Sequence, residues 1–396
     1  MKSQYFINIK SFAFLLCLHL LCSHKGFSQN TNNFWQFANN RNPNTNEIRH
    51  IIPQSYQTLS LNKQDFFSFM SQIPIGKPHQ AQSPSAIISL PMADGSFQQF
   101  SITETPLLSE DFALLRPEIH TYTAQGIDDQ TAVAYLDWTM QGFHGMILSA
   151  NGTTFIDPYS KNNTDFYICY RKEDYINADK INNKTCTTFT DSHWIAYEKE
   201  RDKRLNKPFG LKEKDYLRPS GTQLRTYRLA VASTVEYTAF HGNTVASTQN
   251  AITTTINRVR GVYEREVGIS FTLINNTNII FVGQDEFDNS EAPLLINQSQ
   301  TVIDNSVGAS NYDIGHTVST GGGGLAGLGV VCRDGQKARG ITGSSSPIGD
   351  PYDIDYVAHE IGHQFGGQHT FNGNQGSCSG NRSASSAYEV DRKSVV

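Results

Sequence analysis

Apolar and polar positions alternate through the first half of the chain, and a helical period takes over in the second. Ala86 to Leu90 and Phe97 to Ile102 flank Met92-Ala93-Asp94-Gly95, which predicts a hairpin around an Asp-Gly turn. Thr131 to Trp138, Gly142 to Leu148 and, after Asn151-Gly152, Thr153 to Ile156 continue the strand pattern. No sustained helical period occurs between about Asn30 and Tyr170, so this region predicts a mostly β domain. Beyond Gly221 the rhythm becomes α/β. Leu224 to Ala232 reads as a strand, and Asn243 to Val267 as a helix with Val245, Ile252, Ile256, Val259 and Val262 near one face. Ile269 to Ile274 and Asn278 to Val282 predict strands, Ala292 to Val307 a second helix, and Tyr312 to Val318 a third strand. Leu325 to Val331 extends again after the glycine run Gly321 to Gly324.

Between the halves the composition shifts. Glu198 to Lys214 is densely charged, with Pro208 inside it and Pro219-Ser220-Gly221 after it, which predicts an exposed linker open to proteolysis. A solvated helix ending at Lys207 is the alternative for its first part. Charged residues make up 17% of the 396 and apolar ones 38%, values of a soluble globular chain long enough for two domains. The formal net charge is −5, with no Lys/Arg block, so neither nucleic acid nor an acidic surface is an expected partner.

The N-terminus has the layout of a secretory signal. Lys2 and Lys10 precede the apolar run Phe12 to Cys22, and Gly26-Phe27-Ser28-Gln29 offers small residues for cleavage. The run is about half of the ~20 residues that a membrane anchor needs. The expectation is a secreted or cell-surface protein with a signal peptide over 1–28 and no stable membrane span after its removal. Cys17 and Cys22 leave with the signal, so Cys169, Cys186, Cys332 and Cys378 remain, enough for two disulfides with pairing open.

The decisive segment runs from His359 to His369. His359 and His363, four apart, stand about 40° from each other on a helix, so both imidazoles project from one face. Val357, Ile361 and Phe365 give the opposite face apolar cover. Gly366 allows a left-handed exit that can return His369 as a third nitrogen ligand. Three protein ligands with one open position suit a catalytic Zn2+ rather than a structural one. Glu360 follows the first ligand without joining the set, placed to take a proton from a water that zinc acidifies. A surface helix with scattered His, or a purely structural zinc site, is the plain alternative.

With these residues the chain resembles the metzincin metallopeptidases, and among them the reprolysin-like group. Asp313-Ile314-Gly315-His316-Thr317 and Gly323-Gly324-Leu325-Ala326-Gly327-Leu328-Gly329 look like that group's approach to the active-site helix. Leu90-Pro91 to Gly95-Ser96 and Gly126-Ile127-Asp128-Asp129 look like the propeptide of exported bacterial relatives. The resemblance implies an α+β fold class. A β-rich prosegment, 29–215 with its linker, precedes a catalytic domain, 216–390, of twisted mixed sheet plus helices with the zinc helix at the cleft. It also implies that Ala326, Gly327 and Leu328 form an edge strand binding peptide substrates by β-augmentation. A glycine-rich surface loop is the alternative there. The implied function is a secreted zinc endopeptidase acting on protein or peptide substrates, made as a latent precursor with its own propeptide as inhibitor. An exported binding or adhesion protein that keeps the zinc site is the rival.

Two departures qualify the resemblance. Thr370 follows His369 where named subgroups carry other residues, and no Met follows Met146, although metzincins have a Met-containing turn beneath the metal. Asp391 to Val396 reads as a translated sequencing adaptor, so residues 391–396 are expected to be an artefact and the Met-turn to lie in a longer natural frame. Cys186 is either a latency switch or the disulfide partner of Cys169, and Cys332 could pair with Cys378. Gly283 to Asn289 is oxygen-rich but lacks calcium-loop spacing, so an acidic turn is expected; His316 is expected to be packed or at the surface, not a fourth ligand.

Overall fold

The computed structural model describes residues 34–38, 47–76, 85–161, 163–175, 186–189 and 223–367, with only the backbone for 186–189. The signal segment, the charged linker, the side chain of Cys186, His369 and everything after it lie outside the described residues.

Residues 34–175 build an antiparallel sheet from β1 (Trp35–Phe37), β2 (Gln57–Leu61), β3 (Ala86–Pro91), β4 (Phe97–Glu104), β5 (His120–Gly126), β6 (Val133–Thr139), β7 (Gly142–Ser149), β8 (Gly152–Pro158) and β9 (Phe166–Arg171). Their order is β1-β2-β9-β8-β7-β6-β5-β4-β3. The predicted hairpin is β3 and β4, with Gly95 at φ 86° in the turn, a left-handed conformation that only glycine adopts without strain. Two short helices that the alternation did not announce, α1 (Lys63–Met70) and α2 (Glu110–Leu115), also occur in this region. Phe66 of α1 is fully buried among Phe34, Trp35 and Phe143, closing one face of the sheet.

The second sheet contains β10 (Cys186–Phe189), β11 (Arg225–Ser233), β12 (Ile269–Leu273), β13 (Ile314–Ser319), β14 (Gly323–Gly327) and β15 (Gly340–Gly343). Its order is β10-β14-β15-β13-β11-β12, parallel except for the antiparallel pair β14–β15. Helices α3 (Val235–Phe240), α4 (Val245–Val267), α5 (Ala292–Val307) and α6 (His359–Gln364) complete it. Mixed sheet and helices make the expected α+β architecture.

Helix α4 joins the two sheets. Thr244 caps its start by accepting from Ser247 N, and Gly268 ends it at φ 68°. Ile252, Ile256, Val259 and Tyr263, spaced at helical period, pack on Leu229, Val231 and Phe271 of the second sheet. The other side of α4 packs on β6 of the first sheet, where Gly261 lies so close to Met146 and Tyr135 that a Cβ would fall 2.7 Å from each.

Two expectations fail. Asn278 to Val282 is not a strand: Thr277–Ile279 forms a 3-10 turn with a single bridge from Ser233 to Ile280. Asn276 donates the reason, because its side-chain oxygen accepts from Val231 N and its backbone carbonyl from Ile279 N, which folds the chain back. Leu325 to Val331 is extended only as far as Gly327; Gly329 then turns at φ 64°. β15 and the crossing of β10 into the second sheet had no counterpart in the pattern.

Candidate active site and metal centre

The candidate metal-binding segment is helical in two parts. A π-helical turn, Asp353–Ala358, feeds directly into α6. Tyr263 of α4 donates its hydroxyl to Ala358 O at 2.8 Å, so the turn is held immediately before His359. Val357 and Ile361 are fully buried, and Phe365 packs against Tyr227, Tyr263 and Phe271, the apolar face expected from their spacing.

His359 and His363 present their Nε2 atoms 3.0 Å apart, with the rings at 88°. His363 donates its Nδ1–H to Gly367 O at 2.6 Å, which places the ring's lone pair on Nε2. Two imidazole lone pairs at this separation suit one ion at the ~2.0–2.1 Å zinc–nitrogen distance. The ligand atoms of His359, Glu360 and His363 all lie within 4.8 Å of one another, so the donor set fits a divalent cation. Gly366 adopts φ 98°, the left-handed exit expected after the helix, while His369 lies outside the described residues.

Glu360 and Gln364, one helical turn apart, both face the sheet, and each meets a glycine. A Cβ on Gly324 of β14 would fall 2.1 Å from Glu360 Oε1, and one on Gly340 of β15 would fall 2.2 Å from Gln364 Oε1. The sheet therefore has two side-chain-free notches in which the helix's polar groups sit. Gln364 donates to Gly315 O at 2.8 Å and accepts from His316 Nδ1 at 2.9 Å, while Thr342 Oγ1 donates to His316 Nε2 at 2.8 Å. His316 is thus a packed, neutral histidine, and burial lowers its pKa to about 4. Backbone amides of the β14–β15 connection cap the helix end: Gly329 N donates to His363 O and Val330 N to Gln364 O.

Ala326 and Gly327 lie in β14, and Leu328 follows its last residue. On the outer side of β14 runs β10, parallel, with Cys186 opposite Gly324 and Phe189 opposite Gly327. Cys169 is a buried free thiol donating to Pro91 O, so it forms no bridge to Cys186 in this structure. Cys332 exposes its thiol, and Cys378 lies outside the described residues. The oxygen-rich segment is an acidic turn. Asp285 accepts from Val235 N and Phe287 N, and Asp288 from Ser290 N and Glu291 N. Tyr263, Gln364 and the glycine notches were not singled out from sequence. The spacing of Gln364 from Glu360 was the one local signal that both share a face.

Residues 249–370 match the sequence model of the reprolysin-like metallopeptidases, family M12B. This segment is a reprolysin-like metallopeptidase domain. The chain is accordingly a hydrolase of the zinc metalloendopeptidase class. Among solved structures it is similar to metalloproteinase-II from Bacteroides fragilis, at 16% identity and a TM-score of 0.40, covering 83% of this chain and 91% of that one. No curated protein matches the sequence.

Proposed function

We propose that the chain is the latent precursor of an exported zinc endopeptidase in which His359, His363 and His369 hold the metal and Glu360 is the general base. The observation that carries this reading is the convergence of two Nε2 lone pairs beside a buried carboxylate. Zinc, when bound, supplies a Lewis acid that acidifies water and polarises a carbonyl. Glu360, seated against Gly324, takes the proton of the attacking water and delivers it to the departing amine. β14 offers its edge to an extended peptide through Ala326 and Gly327.

The parallel pairing of β10 with β14 supports latency. A substrate on this edge adds as an antiparallel strand, whereas residues 186–189 run the other way and reverse the polarity of their peptide bonds before Glu360. In this reading residues 29–215 are the prosegment, and cleavage in the charged linker allows it, with β10, to leave the edge. With Cys169 a free thiol, the latency role for Cys186 stands ahead of the disulfide. The apolar N-terminal run supports export, and among the described residues no helix is long and apolar enough to cross a membrane.

Glu360→Gln tests the assignment. Bound zinc should stay at wild-type stoichiometry while casein cleavage falls about 10²–10⁴-fold, the span of general-base catalysis. A fully active Glu360→Gln protein, or bound zinc without chelator-sensitive cleavage in the wild type, would overturn it.

A further inference from the structure

Helix α4 turns its apolar stripe to the second sheet and a polar stripe to the first. On the polar stripe Thr254 donates to Asp137, Asn257 to Leu136 O and Arg260 to Thr105 O, while Glu264 accepts from Tyr135. Arg258 lies at the centre and is fully buried. Its NH2 is 2.5 Å from Asp157 Oδ1 in β8, and its NH1 is 2.9 Å from Asp353 Oδ2 at the start of the π-helical turn. Tyr170 donates to the other oxygen of Asp157, and Thr255 to the other oxygen of Asp353. One guanidinium is therefore shared between a strand of the β-rich region and the segment that leads into His359. Lys172 makes a second link of the same kind, 3.4 Å from Asp350 and 3.3 Å from Asp355.

A core that never separates is normally apolar at its centre, whereas these groups can all be rehydrated after separation. Arg258 and Asp157 are paired and buried only while the two parts are docked, so removing the Asp157 charge by substitution leaves the guanidinium short of a carboxylate in the docked state alone and weakens docking. We propose that this polar face of α4, with Arg258 at its centre, is a docking surface that keeps residues 34–175 bound after the chain is cut between residues 190 and 222, and that Arg258 couples this binding to the position of the zinc helix. The proposal deepens the precursor reading and rests on it: β10 lies on the β-rich side of the cut, so linker cleavage alone leaves the β-rich part docked, and the edge of β14 opens when that part departs. Arg258 acts through Asp353 and is a positioning residue.

The test uses the full chain carrying Glu360→Gln, to prevent self-digestion, cut in the linker by limited trypsin treatment and checked by mass spectrometry. The two pieces should co-elute in size exclusion at micromolar concentration. Asp157→Asn, which keeps shape and removes charge, should weaken their association at least tenfold. Tyr170→Phe should weaken it severalfold, and this variant decides the matter where Asp157→Asn does not fold. Asp165→Asn, which breaks the exposed pair with Lys63, should change nothing. In the same samples, amide hydrogen exchange across residues 353–363 should rise at least tenfold when the β-rich piece departs. Pieces that part on cutting, or Asp157 and Tyr170 variants that bind like wild type, overturn the docking surface. Unchanged exchange across residues 353–363 overturns the coupling. Casein cleavage plays no part in these readouts, so a failure of the peptidase assignment would appear separately in the Glu360→Gln comparison.

Discussion

Alanine at Gly324 isolates the seat of Glu360. The added Cβ would lie 2.1 Å from Glu360 Oε1, 2.4 Å from Cδ and 2.5 Å from Cγ, more than 1 Å short of ordinary contact. The helix cannot retreat as a body, because Gln364 is wedged against Gly340 and its amide is bonded to Gly315 O. The carboxylate must therefore swing, and a misplacement of about 1 Å costs on the order of 100-fold in rate, about 2.7 kcal/mol in the barrier. Crowding should also lower stability by ~1–3 kcal/mol. The assay is kcat/KM on a fluorogenic peptide, normalised to bound zinc, with a melting curve of the same sample. The expected result is about a 100-fold loss at full zinc content with a lowered but cooperative Tm. Gly322→Ala is the control, since its Cβ would meet nothing within 4 Å. If Gly324→Ala binds zinc and works within threefold of wild type, the glycine does not set the position of Glu360.

Acid should destabilise the fold in a defined window. Burial lowers the pKa of His241 to about 3 and that of His316 to about 4, so both are neutral when folded and take protons near pH 6.5 when unfolded. Their stabilisation is complete above pH 6.5 and shrinks as pH falls, by about 3 kcal/mol each on reaching pH 4. His120, held charged by Glu104, acts in the opposite direction but is half exposed and counts for less. Urea midpoints of the metal-free chain should fall steadily from pH 7 to 4.5; a flat profile would contradict the buried, neutral histidines. Gly261→Ala should crowd the α4–β6 contact, with a Cβ 2.7 Å from the buried ring of Tyr135, and cost ~1–3 kcal/mol. An unchanged melting temperature would refute the close packing of Gly261 on Tyr135.

Local pattern settled the elements whose environment is one-sided. The β3–β4 hairpin follows from alternation around Asp94-Gly95, and α5 from its period over Ala292–Val307. The His359–His363 pair follows from four-residue spacing alone, because helix geometry places both rings on one face wherever the helix lies. Where neighbours far along the chain decide, pattern fell short. Asn278 to Val282 carries strand-forming residues, yet Asn276 reaches Val231 and bends the segment. The polar stripe of α4 has the spacing of a solvent-facing surface, but Thr254, Asn257 and Arg258 lie buried against residues about a hundred positions earlier. The seat of Glu360 depends on a missing Cβ in another strand, and the edge it would serve is covered by β10. The sequence by itself thus determined which side chains could bind metal, since that requires only covalent spacing and helical geometry. Tertiary structure alone decided what faces them, because burial and charge pairing depend on segments that meet only once the chain has folded.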